Sequence, residues 1–164
     1  MGYRSNVRFV VAVPSEVGRN ELMALYSMHP LVQKCDMAQQ WTLYEVMLRD
    51  YGRYVDVPPV AYEGESKDYV REYPVYLLSY DADCVKWYDD YDDVQAVMHM
   101  EELLDSLEGC CFAYKFIRVG EEHSDIVTRD HHSDDETAEQ MHEYLENVMY
   151  TEVNLVFDIK QIEA

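Results

Sequence analysis

Five segments of the chain carry the pattern of apolar and polar positions that predicts β-strands. The first is a valine-rich run that Pro14 stops, and the last alternates apolar with polar residues, as a strand with one solvated face does. The third and fourth flank the sequence Gly-Glu-Glu-His and predict a hairpin. These predicted strands are residues 7–13, 75–85, 109–119, 124–129 and 151–160.

Three segments predict helices. Residues 15–28 open with Ser15 and stop before Pro30, since the residue before a proline is disfavoured in a helix. In residues 92–107 the apolar side chains fall within one sector of about 120° when the segment is drawn as a helix. That stripe consists of Ala96, Val97, Met100, Leu103, Leu104 and Leu107.

The third predicted helix, residues 133–148, begins with Ser133-Asp134-Asp135-Glu136. This serine and glutamate have the spacing of a capping box, in which both side chains accept hydrogen bonds from the first free amides of a helix. Its apolar stripe is Ala138, Met141, Leu145 and Val148.

Two segments carry weaker patterns. Residues 31–51, centred on 41–48, fit either a helix or a strand, and their length and their Met, Leu, Gln and Ala content favour a helix. Residues 52–74 hold two glycines and three prolines and predict a long irregular loop. The elements together predict one α+β domain over residues 1–164, with an antiparallel or mixed sheet of about five strands and three or four flanking helices.

The charge is concentrated in the second half of the chain. Residues 81–164 hold 23 Asp and Glu against five Lys and Arg, which gives −18 of the total net charge of −20. With 48% hydrophobic residues and fifteen tyrosines, this half has the composition of a folded domain and not of a disordered acidic tail. The charges are therefore expected on a fixed surface, which would repel a nucleic acid and attract a basic protein.

The two C-terminal helices are both strongly acidic on the side away from their apolar stripes. On the second of them, four acids fall within roughly 80° of each other, and no Lys or Arg occurs between residues 130 and 158. Like charges at this spacing cost a few tenths of a kcal/mol per pair, so a binding role is expected. The predicted partner-binding acids are Asp135, Glu139, Glu143 and Glu146, followed by Glu101, Glu102, Asp105 and Glu108.

The net charge of the chain is comparable to the charge of a DNA duplex of about the same length as the protein. Twenty charges correspond to roughly 34 Å of duplex, at about one charge per 1.7 Å of axis. A compact chain of this length has a diameter of roughly 40 Å. If the carboxylates share one face, their density along that face approaches that of a duplex. If they are spread around the molecule, the resemblance to a duplex fails.

Trp87 and Tyr88 lie within the acidic stretch that precedes the first acidic helix. One interpretation is that they close the core beneath this helix. The other is that they anchor a partner, because Trp and Tyr contribute much of the binding energy at interfaces. We therefore include both among the candidate partner-binding residues.

The best metal candidates are His123, His131 and His132, because imidazoles near carboxylates suit Zn, Mn or Fe. Their spacing is not that of a helical zinc motif, and the capping box accounts for part of the pattern, so no cofactor is predicted. The chain also lacks a nucleophile elbow and a phosphate-binding glycine-rich loop, which leaves no catalytic residue to predict. The four cysteines are expected to be buried free thiols.

Three short blocks lie in roughly a third of the chain: Met1-Gly2-Tyr3-Arg4-Ser5, then Val85-Lys86-Trp87-Tyr88 with Asp92-Asp93-Val94, and Phe116-Ile117-Arg118-Val119-Gly120-Glu121 with Asp125-Ile126. These blocks resemble small acidic proteins of tailed bacteriophages, most of which have no assigned function. The resemblance implies expression in a bacterial cytoplasm and supplies no site residues. Phages also make DNA-mimicking inhibitors of host proteins, and this chain is similar to those in charge and size alone.

The sequence therefore predicts a non-enzymatic phage protein whose acidic, DNA-like face inhibits a basic host protein that binds nucleic acid or acts in defence. One alternative is a metal-dependent enzyme or metal-binding switch built on the His and Asp residues at 123–142. Another is an interaction or assembly module whose binding is insensitive to salt. The chain has no N-terminal signal pattern and no run of eighteen apolar residues, so we expect a cytoplasmic protein without a membrane partner.

Overall fold

A computed structural model describes residues 2–51, 70–122, 124–151 and 155–157. Among these residues, no helix is both long enough and apolar enough to cross a membrane. The elements in chain order are β1 (Ser5–Val13), α1 (Glu16–Ser27), α2 (Pro30–Lys34), a short 3-10 helix (Met37–Gln40), β2 (Trp41–Tyr51), β3 (Val70–Val85), α3 (Asp92–Ser106), β4 (Ala113–Gly120), β5 (Ile126–His132), α4 (Glu136–Val148), β6 (Met149–Thr151) and β7 (Leu155–Phe157).

The main sheet has five antiparallel strands in the order β2-β3-β1-β4-β5, and β6 pairs with β7 in a separate two-stranded ribbon. The succession β1-α1-β2-β3-α3-β4 with this strand order is the split βαβ, or ferredoxin-like, arrangement. β5 adds an edge strand to it. The predicted α+β class and five-stranded sheet are confirmed.

Both faces of the sheet are covered, because successive residues of a strand point to opposite sides. In β1, Phe9 and Val11 face a core that includes residues of α1, α2 and α3. Val10 and Ala12 face a second core with α4. The molecule therefore has three layers, with α1, α2 and α3 on one side of the sheet and α4 on the other.

The predictions for the first strand, the first helix and the hairpin are confirmed. Ser15 is the N-cap of α1, where its side chain accepts a hydrogen bond from the Gly18 amide. The predicted hairpin is β4 and β5, which pair from Ala113 with His132 to Val119 with Ile126. In the segment predicted as a closing strand, residues 155–157 form β7, residue 151 ends β6, and the remainder lies outside the described residues.

The helix prediction for the centre of residues 31–51 is wrong, because residues 41–51 form strand β2. This strand pairs with β3 along its whole length, from Trp41 with Tyr80 to Tyr51 with Val70. Trp41 belongs to one core while Val46 and Leu48 belong to the other, so the alternating burial of a strand overrides helix-favouring composition. The helical part of this segment is confined to α2 and the 3-10 helix.

The predicted irregular loop over residues 52–74 is too long at its C-terminal end, since β3 begins at Val70. Residues 52–69 lie outside the described part of the chain. Pro74 is tolerated in β3 because the pairing of β3 with β1 ends at Tyr76, whereas Pro74 itself pairs with Met47 of β2. Proline lacks an amide hydrogen, and at this position none is needed for a hydrogen bond to β1.

Candidate acidic interface

The two acidic helices lie on opposite faces of the sheet. The apolar stripe predicted for α4 is confirmed, since Ala138, Met141, Leu145 and Val148 are all buried in the core with β2 and β4. Most of the stripe predicted for α3 is also buried, in the core on the other face of the sheet. Leu103 and Leu107 pack at the margin of that core. The carboxylates on these helices therefore point away from the sheet in two opposite directions.

The edge strand β5 connects these two acidic helices. Nη1 of Arg129 lies 2.7 Å from Oε1 of Glu101 on α3. Oδ1 of the next residue, Asp130, lies 3.4 Å from Nε2 of His142 on α4. Because consecutive strand residues face opposite sides, β5 makes one polar contact with each helix. Strand β5 therefore links α3 to α4 around this edge of the sheet.

On α3, two of the predicted acids are engaged in contacts within the protein. Glu101 is paired with Arg129, and its other oxygen and Asp105 both accept from the hydroxyl of Tyr114, at 3.4 and 3.2 Å. Burial, together with the charges of these two carboxylates, raises the pKa of Tyr114 well above its usual value. Glu102 is exposed on α3, where Oε2 lies 3.6 Å from Nδ1 of His99, and Glu108 is exposed just beyond the end of this helix. Of the four acids predicted here, these two are the best placed to meet a partner.

On α4, Asp135 is the N-cap, and the predicted capping box headed by Ser133 is wrong in its position. Oδ1 of Asp135 accepts from the Ala138 amide at 2.8 Å, while Oγ of Ser133 donates to Oδ2 of Asp135 and accepts from the Phe112 amide. Burial alone would raise the pKa of Asp135, but hydrogen bonds from Cys111, Ala138 and Ser133 lower it overall. This exposed carboxylate therefore also stabilises the start of the helix.

The other acids of α4 divide into two groups. Glu139 and Glu143 are exposed, and neither forms an ion pair within the described part of the chain. Glu146 is half-exposed and pairs with Lys115 of β4, whose Nζ lies 2.9 Å from Oε2 of Glu146 and 3.0 Å from the Met149 carbonyl oxygen. Sequence reasoning missed this partner because Lys115 belongs to another element, 31 residues away.

The structure separates the two aromatic candidates. The ring of Trp87 lies 6.3 Å from that of Tyr80 and 6.0 Å from that of Phe116, so Trp87 packs against the core. The Tyr88 side chain is exposed, and its hydroxyl accepts a hydrogen bond from the Tyr3 amide. Of these two residues, Tyr88 is therefore the better placed for contact with a partner.

A cleft of about 770 Å³ lies beside α3, between this helix and the ends of β4 and β5. Its walls combine aromatic and polar groups, including Tyr88, His29, His99 and Arg118. The two imidazole rings are 3.9 Å apart. Burial and the neighbouring His29 lower the pKa of His99.

The predicted metal candidates do not form one donor group in the described part of the chain, and His123 lies outside it. The ring of His131 packs near Phe112 and Tyr114 and lies 6.4 Å from the ring of His132, while the ring of His132 lies 5.0 Å from that of His142. Among the described residues, the donors that the fold gathers are Asp130, His142 and Glu146.

The cysteines are free thiols, but the prediction that they are buried is wrong, because Cys84 is exposed and Cys35, Cys110 and Cys111 are half-buried. Burial and the nearby Asp135 raise the pKa of Cys111 to about 12. Since the thiolate is the nucleophilic form, a thiol that stays protonated at neutral pH is a poor catalytic group.

No protein-family model matches this chain, and no curated protein matches it either. The phage origin expected from the short sequence blocks therefore stays a prediction. The fold and the surface define the molecule as an α+β protein with acidic helices on both sides of a sheet edge. A fold of this kind hosts many unrelated functions, so the function has to be argued from the surface.

We expect His99 to make the protein less stable as the pH falls below neutral. The pKa of His99 is below 6.5 in the folded protein and near 6.5 in the unfolded chain. As the pH falls through this range, the unfolded chain takes up the proton first, so the free energy of unfolding decreases. Denaturant unfolding at pH 7.5 and 5.5 should show a smaller decrease for His99→Gln than for the wild type.

The control for this measurement is Gln95→Ala, a change without a titrating group on the same helix. This variant should lose as much stability between the two pH values as the wild type does. Equal losses in all three proteins would show that His99 does not contribute to the pH dependence.

Proposed function

We propose that this protein is a non-enzymatic binding protein whose acidic surface occupies the basic, nucleic-acid-binding groove of a partner. In the setting that the phage-like sequence blocks suggest, the partner is a host DNA-binding or defence protein in the bacterial cytoplasm. The observation that carries the proposal is that β5 contacts one acidic helix on each face, which joins the two sets of carboxylates around one edge of the sheet.

Exposed carboxylates on both helices support a binding role. Glu139 and Glu143 on α4 and Glu102 on α3 are exposed, and the first two stand one helical turn apart. Like charges at this spacing are mildly destabilising, and both helices already have buried apolar stripes that hold them to the sheet. These acids are therefore not needed for the fold, and a basic partner would offset their repulsion.

The layered fold changes the shape of the surface that a partner would meet. Adjacent layers of secondary structure pack about 10 Å apart, so the outer sides of α3 and α4 are separated by more than about 20 Å. The two rows of charge do not form one flat face, so the duplex-like density expected of carboxylates on a shared face is not reached. A groove that encloses the β5 edge would contact both rows, much as a DNA-binding groove contacts two phosphate strands.

Charge reversal on α4 tests this proposal. The double variant Glu139→Lys/Glu143→Lys should bind the partner about 10- to 100-fold more weakly, mainly through a lower association rate. It should also show a shallower dependence of affinity on salt. The partner would be captured from bacterial lysate at low and high salt, purified, and titrated with each variant in competition with duplex DNA.

The matched control is Glu16→Lys/Glu21→Lys, which makes the same change in net charge on exposed positions of α1. This variant should retain most of the affinity, because Glu16 and Glu21 belong to neither of the two acidic helices. Equal weakening by both double variants would show that net charge alone matters. Binding that neither salt nor duplex DNA affects would contradict the proposal and support the salt-insensitive interaction module.

A further inference from the structure

Strand β5 and helix α4 bring three metal-binding side chains together next to the sheet edge. Oδ1 of Asp130 lies 3.4 Å and Oε1 of Glu146 lies 3.6 Å from Nε2 of His142. All three donor atoms lie within 4.8 Å of one another. Two of these residues are one helical turn apart on α4, and the third comes from β5.

The ring nitrogen at the centre of this group has no hydrogen bond. Nε2 of His142 is buried and has no hydrogen-bonding partner within the described part of the chain. The two carboxylate oxygens are too distant for good hydrogen bonds, which have N···O distances near 2.9 Å. A bare nitrogen lone pair that faces two carboxylates is electrostatically unfavourable. The arrangement therefore favours either a hydrogen on Nε2 or a metal ion bound to all three side chains.

The distances fit a metal ion. Zn²⁺ binds imidazole nitrogen and carboxylate oxygen at about 2.0–2.2 Å in a tetrahedral arrangement, which places neighbouring ligand atoms about 3.4 Å apart. The separations of 3.4 and 3.6 Å around His142 are close to this value. We propose that Asp130, His142 and Glu146 bind one divalent transition-metal ion of the Zn²⁺ type.

Neighbouring groups hold the proposed ligands in place. The ammonium group of Lys115 donates a hydrogen bond to Oε2 of Glu146, while Oε1 of the same carboxylate faces His142. Such a contact to the second oxygen orients a ligating carboxylate. Lys115 is itself fixed by the Met149 carbonyl oxygen, so the orientation of Glu146 is anchored in the core.

His132 lies beside this group, with its ring centroid 5.0 Å from that of His142. Its Nδ1 lies 2.7 Å from the Ser133 carbonyl oxygen, and because a carbonyl oxygen only accepts, Nδ1 carries the hydrogen. His132 is not among the donors that lie within 4.8 Å of one another, so the proposed site has three protein ligands and leaves the fourth tetrahedral position to water.

A bound ion would connect the edge strand to α4. Its ligands come from two elements that are adjacent in space, so its binding free energy would add to the stability of their contact. Glu139 and Glu143, on which the proposed partner binding depends, do not belong to this site. The two proposals can therefore fail independently.

The test is a titration of the chelator-treated full chain with Zn²⁺, followed by calorimetry. One Zn²⁺ per chain is expected, and the ion should raise the midpoint of thermal unfolding. Asp130→Asn and His142→Asn should each weaken binding by about tenfold or more. Glu143→Gln on the same helix and His131→Asn on the opposite face of β5 are matched controls and should bind as the wild type does.

A Co²⁺ titration of the wild type gives an answer that does not depend on the folding of any variant. The proposal predicts the visible absorption of cobalt bound in a tetrahedral site by nitrogen and oxygen. A strong near-ultraviolet thiolate-to-cobalt band would place the ion on cysteines and overturn the proposal. The absence of saturable binding, or binding that Asp130→Asn and His142→Asn leave unchanged, would also overturn it, and His142 would then carry only a proton.

Discussion

Replacing Glu146 by glutamine is expected to lower the free energy of unfolding by about 3 kcal/mol, measured in the presence of a chelator. The reason is Lys115, whose side chain is only 7% exposed and whose ammonium group contacts Glu146 and the Met149 carbonyl oxygen. With glutamine at position 146, the positive charge of Lys115 is left nearly buried with neutral partners only. In a domain of this size the loss corresponds to a decrease of about 6–12 °C in the midpoint of thermal unfolding.

The same reasoning predicts that a second substitution restores stability. In Lys115→Met/Glu146→Gln the buried charge is absent, so the double variant should be more stable than Glu146→Gln alone. Glu143→Gln, an exposed acid on the same helix, should change stability by less than about 0.5 kcal/mol. If Glu146→Gln and Glu143→Gln were equally stable, the pair with Lys115 would contribute nothing to the fold.

Replacing Tyr26 by phenylalanine is expected to lower the free energy of unfolding by about 2 kcal/mol. The Tyr26 hydroxyl donates to the Ala96 carbonyl oxygen at 2.7 Å and accepts from Nε1 of Trp41 at 3.2 Å. It thereby links α1, α3 and β2 inside the core. Phenylalanine keeps the packing of the ring but leaves the buried indole N–H of Trp41 without an acceptor. Urea unfolding of both proteins measures the difference.

Tyr114→Phe is the matched control, because it also removes the hydroxyl of a buried tyrosine. The partners of Tyr114 are the carboxylates of Glu101 and Asp105, which can retain a second partner or water. This variant should therefore lose less than about 1 kcal/mol. A loss for Tyr26→Phe no larger than that for Tyr114→Phe would contradict the proposed role of the Tyr26 hydroxyl.

Local patterns in the sequence predicted much of the fold. The apolar stripes of α3 and α4 were predictable because helical periodicity depends on residues that are three or four positions apart. The same reasoning failed for β2, where composition favoured a helix while pairing with β3 and burial on both faces favoured a strand. Pairing of this kind depends on residues far along the chain, so no local window contains it.

The candidate site was also predictable from the sequence only in part. The sequence was sufficient to predict that Glu139 and Glu143 lie on the outer side of a helix. It was not sufficient to predict that Glu146 pairs with Lys115, or that Asp130 approaches His142. These contacts join a strand to a helix, and their partners are recognisable only once the layers are assembled.

The sequence by itself determined that the negative charge would lie on the outer sides of two amphipathic helices. Only the tertiary structure decided that these helices cover opposite faces of the sheet. An amphipathic pattern specifies which side of a helix is buried, but either face of a sheet can cover that side. The chain connections between the elements decide which face each helix covers. Helix α3 belongs to the split βαβ unit and packs beside α1, while α4 follows the edge strand β5 and covers the other face. For this reason the carboxylates surround an edge of the sheet and do not share a single face.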